Sequence, residues 1–72
     1  MKLNLRWTKH KNVKIKTDAA IWDGLQMGET QLKIITGGSK KTKEIVMECL
    51  TFYNLESHKD AKNADIIMVT LY

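Results

Sequence analysis

The chain has 72 residues, 43% of them hydrophobic, with a formal net charge of +4. That is enough for one modest core, so a single domain over residues 1–72 is expected, and a deep substrate cavity would compete with the core itself. Cys49, the one cysteine, has no partner for an internal disulfide, and no CxxC or Cys/His cluster suggests zinc.

No apolar run approaches the roughly 20 residues that span a bilayer, and the start has neither a continuous apolar segment nor a small-residue cleavage site. A soluble, cytoplasmic protein without a membrane partner is expected. In "KLNLRWT", Leu3, Leu5 and Trp7 alternate with Lys2, Asn4, Arg6 and Thr8, the period of a strand with one buried face. "NVKIKT" alternates again, Val13 and Ile15 against Lys14 and Lys16. With the polar "KHKN" between them, the two runs predict an antiparallel hairpin.

Asp18 is a suitable cap for a helix through "AAIWDGLQM" that ends near Gly28, with Gly24 weakening it by about 1 kcal/mol relative to alanine. "TQLKIIT" reads as a third strand, Leu32 and Ile34 on one face and Gln31, Lys33 and Ile35 on the other. Ser39 is a natural N-cap for the strongest helix, in "KKTKEIVMECLTFYNLES". Ile45, Val46, Cys49, Leu50, Phe52 and Tyr53 form its apolar stripe. "HKDAKNAD" follows as a polar connection. "ADIIMVTLY" ends the sequence as a β-branched strand, with Ile67, Val69 and Leu71 against Ile66, Met68 and Tyr72.

The expected fold is α+β, in the order β-β-α-β-α-β, with two helices on one face of a four-stranded, mainly antiparallel sheet. The last strand, apolar on both sides, is expected to be central or part of a dimer contact.

Six of the twelve Lys and Arg residues lie in the first sixteen positions, and no acid precedes Asp18. On this reading Lys2, Arg6, Lys14, Lys16 and Lys33 share the uncovered sheet face. Such a face either binds anions, nucleic-acid phosphates above all, or keeps strand edges soluble. Trp7 alternates to the buried side, which leaves only Tyr72 and His10 near the face as aromatic rings. Backbone contacts with little sequence preference are therefore expected rather than base stacking.

"TGGSKKTK" matches neither a Walker loop nor a dinucleotide fingerprint. Glycines between a strand and a helix suit a tight reversal, which is the plainer reading. Yet Lys40, Lys41 and Lys43 sit at a helix start, where cations are unfavourable. Together with Gly38, Ser39 and free N–H groups, Lys40 and Lys41 make a phosphate contact the second reading.

Catalytic chemistry is not evident. Cys49 lies on an apolar stripe, His10 and His58 lack partners, and Asp18 and Asp23 are five residues apart. No enzyme activity, cofactor or metal is expected. Two functions remain, in a chain whose size and basicity suit a small regulatory or accessory protein of bacteria or their phages. In one, Lys2, Arg6, Lys14, Lys16, Lys33, Ser39, Lys40 and Lys41 hold a nucleic-acid backbone. In the other, the basic face docks on an acidic or nucleic-acid-binding protein surface with Trp22, Met47, Met68 and Tyr72 as apolar contacts, and a homodimer through the last strand is the simplest protein partner.

Overall fold

A computed structural model describes residues 1–72. The elements in chain order are β1 (Lys2–Asn4), α1 (His10–Gln26), β2 (Gln31–Ile35), α2 (Lys40–Phe52), β3 (Glu56–Lys59) and β4 (Ile66–Thr70). The α+β class, the two helices and the four strands are as expected, but the order is β-α-β-α-β-β. The sheet runs β1-β2-β4-β3 and is mixed: β1 pairs parallel with β2, while β4 runs antiparallel to both of its neighbours.

The hairpin expected at residues 2–17 does not form. Residues 12–17 belong to α1, whose buried side is Val13, Thr17, Ala20, Ile21 and Gly24. Those positions recur every three or four residues, and a long stripe of that period outweighs an alternation only five residues long. Ile15 is accordingly 66% exposed. Asp18 lies inside this helix and bonds to Lys14 Nζ at 2.8 Å, so it caps nothing. Gly24 also gains a reason: a Cβ there would sit 2.6 Å from Leu71 Cδ1, so any larger residue would make the Leu71 side chain shift.

β2 and β4 follow the alternation read from their residues. Leu32, Ile34, Ile67 and Val69 are buried beneath the helices, and Lys33, Ile35, Ile66 and Met68 face the other way, half-buried. β4 is central, so both of its edges are occupied and a second copy would meet it only across the outward side of the sheet.

α2 starts where Ser39 caps it, its hydroxyl accepting the Thr42 N–H at 3.2 Å. Val46, Cys49 and Leu50 are buried as expected, whereas Phe52, at the last turn, is 82% exposed. The helix stops at Phe52 because Asn54 turns left-handed (φ 56°). What reads as helix tail and polar connection then yields β3, which is polar because it is an edge strand whose outer edge meets no other strand. Leu5, Val13, Ile21, Leu32, Ile34, Val46, Leu50, Ile67, Val69 and Leu71 form one core between the helices and the sheet. No helix is long and apolar enough to cross a membrane.

Candidate functional site

The parallel pairing of β1 with β2 brings two loops side by side, residues 5–9 and 36–39, each leading from a strand into a helix. A cleft of about 420 Å³ opens between them, lined by Arg6, Trp7, His10, Gly37, Gly38 and Ser39 among others. Both helices therefore start at one place, at the carboxyl ends of adjacent parallel strands, where open α/β sheets commonly bind ligands.

The first loop leaves β1 at once. Arg6 donates its N–H to Asn4 Oδ1 at 3.0 Å, and Thr8 donates its own to Leu5 O at 3.1 Å. This is a β-turn with Trp7 at its third position, where φ is 66°. Positive φ at that position normally calls for glycine. The alternation expected through Trp7 ends here, and the indole is fully exposed rather than buried.

In the second loop Gly37 takes φ 71°, which makes the reversal possible, as expected of this glycine pair. A Cβ at Gly37 would sit 3.4 Å from Arg6 Cγ, so the arginine stem lies along the bare glycine. His10 Nε2 lies 3.2 Å from Ser39 Oγ, tying the start of α1 to the cap of α2. Thr36, buried below, donates its hydroxyl to Asp65 O at 2.9 Å and holds the loop against the turn between β3 and β4.

The N–H groups of Gly38, Ser39, Lys40 and Lys41 donate to nothing within the chain. Neither helix has an acid in its first turn. Lys9 precedes α1 and Lys11 stands in its first turn, while Lys40 and Lys41 open α2. One acid, Asp65, lines the cleft, and its carboxylate accepts from Lys43 Nζ at 3.1 Å. Such an arrangement suits a negatively charged group.

The seven cations and Ser39 expected to hold a nucleic-acid backbone thus fall into three places. Arg6 and Ser39 line the cleft, and Lys40 and Lys41 follow Ser39 in the first turn of α2, where Lys40 lines a separate groove with Lys43, Met47 and Lys59. Lys2 and Lys33 are direct cross-strand partners on the uncovered sheet face, in a row with Met68 and His58. Lys14 and Lys16 lie on α1, off the sheet altogether. Asp18 holds the Lys14 ammonium above its usual pKa, first by the hydrogen bond and then by its charge.

Trp22, Met47, Met68 and Tyr72 are not brought into one patch. Trp22 lies on α1, and Met47 lies on α2 in a groove with Lys59 and Ile67. Met68 is on the opposite side of the sheet, and the Tyr72 hydroxyl donates to Leu25 O. Cys49 is buried beneath a groove between α1 and α2, and that burial pushes its thiol pKa up. No group of three His, Cys, Asp or Glu side chains gathers to hold a metal.

The residues missed from the sequence are Trp7, His10 and Gly37. The usable signal for Trp7 was Asn4, whose side chain can cap a turn two residues on and so end the strand early. In comparisons with known proteins, no family model, no curated protein and no solved structure matches the chain.

Proposed function

We propose that the protein is a small non-enzymatic module that holds the phosphate backbone of a nucleic acid in the cleft between its two helix starts. The observation that supports this most directly is the convergence of both helix N-termini on one cleft that carries Arg6, His10 and unclaimed amide N–H groups, flanked by lysines and by no first-turn acid. A phosphate fits what these groups supply: several N–H donors and positive charge, without a deep pocket. Lys2 and Lys33 on the sheet face extend the positive surface but lie outside the cleft.

Anisotropy titrations with labelled oligonucleotides at two salt concentrations test the proposal. About four phosphate contacts give a log–log salt slope of roughly −3 on a single strand. The double change Lys40→Glu and Lys41→Glu, combined with Arg6→Ala, is expected to weaken binding more than about tenfold, and Lys14→Glu with Lys16→Glu far less. Equal losses from the two sets would show general charge rather than this cleft. No binding at low salt would reject the proposal.

One observation favours a second reading. Ile15 and Trp22, seven residues apart on α1, are 66% and 56% exposed and share a helix side. A protein partner docking there would be sensitive to Trp22→Ala and indifferent to Arg6.

A further inference from the structure

Trp7 is the least expected residue of the cleft. A large aromatic ring with complete exposure contributes no packing, and its backbone occupies a conformation that side chains rarely adopt. Strain of this kind persists where the surroundings fix it, and here they do: the hydrogen bonds from Arg6 to Asn4 and from Thr8 to Leu5 pin the turn on both sides of the ring. The indole is therefore presented to solvent from a fixed backbone, at the mouth of the cleft already described.

Its neighbours indicate what it is presented to. A tryptophan that anchors a protein interface usually stands among apolar residues that exclude water around it. Trp7 is flanked instead by Arg6, Thr8, Lys9 and His10. An exposed ring beside a cationic groove is the arrangement by which proteins hold unpaired bases, stacking the base while cations follow the backbone. In a duplex the bases are already stacked on each other and offer no free face.

We infer that Trp7 is a stacking platform for an unpaired base, and that the cleft takes single-stranded nucleic acid, DNA or RNA, in preference to duplex. This rests on the phosphate reading and narrows it. The ring stacks on a base while the helix starts hold an adjoining phosphate.

The test uses short thymidine and uridine oligonucleotides, an abasic deoxyribose-phosphate strand of equal length, and a duplex. In a Trp22→Phe background Trp7 is the only tryptophan, and base-bearing single strands are expected to quench its fluorescence while the abasic strand does not. Trp7→Gly removes the ring and suits the local φ, so its melting temperature is expected not to fall. Its affinity for base-bearing single strands is expected to drop roughly 5- to 150-fold. Abasic-strand and duplex affinities stay within about twofold, because phosphate contacts are retained. Trp7→Phe recovers most of the loss. The thymidine and uridine arms show whether the sugar matters.

Three results would overturn the inference, and they are distinguishable. If the abasic strand binds as tightly as the others and Trp7→Gly changes nothing, the phosphate reading stands without stacking. If Trp7→Gly weakens every ligand equally, the residue acts by shaping the cleft. If no strand binds at all, the phosphate reading itself fails, and a protein that requires Trp7 becomes the ligand to seek.

Discussion

Thr17 shows how much a single buried atom can matter in a core this small. Its side chain is fully buried in α1, and its hydroxyl has no hydrogen-bond partner. An unpaired buried hydroxyl costs its full desolvation, so replacing it with a methyl group of similar shape removes a penalty without opening a cavity. Thr17→Val is expected to stabilise the fold by about 1 kcal/mol, read as a higher urea midpoint at unchanged slope. A lower midpoint would show that the hydroxyl finds a partner in solution. Trp7 carries the opposite lesson, because its strain is matched by no packing. The alternation of Leu3, Leu5 and Trp7 gave no hint of this: a turn reverses side-chain direction without any change in residue polarity.

Among the elements, α2 places its charges against its own dipole. Lys40 and Lys41 stand in its first turn, where cations cost a few tenths of a kcal/mol each, although Ser39 caps the backbone properly. Lys40→Glu with Lys41→Glu is therefore expected to stabilise the helix by about 1 kcal/mol. For a domain of this size that raises the melting temperature by roughly 4–8 °C, while the proposed nucleic-acid binding would weaken. A falling melting temperature would mean the lysines hold the fold together. Such opposed effects would mark these residues as kept for binding.

The elements that could be read from the sequence share one property: their patterns last. β2 and β4 alternate over five residues with β-branched side chains, and α2 has both a cap and a stripe. The start of α1 misleads because Val13 and Ile15 fit a two-residue period, and only Thr17, Ala20 and Ile21 continue from Val13 at the helical one. β3 could not be recognised from hydrophobicity because its four residues, Glu56 to Lys59, include no apolar one. The glycine loop was legible as a turn and as a candidate phosphate contact. Its juxtaposition with Arg6, Trp7 and His10 was not, since that depends on β1 lying parallel to β2 across some thirty residues of chain.

For the whole molecule, that parallel pairing decides the direction of the electric field. Both helices begin at the same end, so their dipoles add there to Arg6, Lys9, Lys11, Lys40 and Lys41. Asp18 and Asp23 in α1, Glu29 after it, and Glu44 and Glu48 in α2 lie further along, and Asp65, the acid at the cleft, is paired with Lys43. The positive end can draw an anionic polymer toward the cleft before any contact forms, an effect that salt would suppress.

β1 is only three residues long and has a neighbour on one side alone. It is held partly by Leu5 N–H to Ile35 O at 2.8 Å and Lys33 N–H to Met1 O at 2.9 Å. Peeling it away would carry Arg6 and Trp7 off while β2, β4 and β3 remain paired. The cleft thus exists only while this edge is closed, and a ligand bridging both loops would act as its latch. At a ligand concentration 100 times the dissociation constant, linkage is worth about 2.7 kcal/mol, so the Leu5 and Lys33 amides should exchange hydrogen about a hundredfold more slowly. The Asp60 amide, at the far hairpin, should keep its rate, since its local opening leaves the latch untouched. Unchanged exchange at Leu5 would mean that the ligand grips α2 alone and leaves the edge free to breathe.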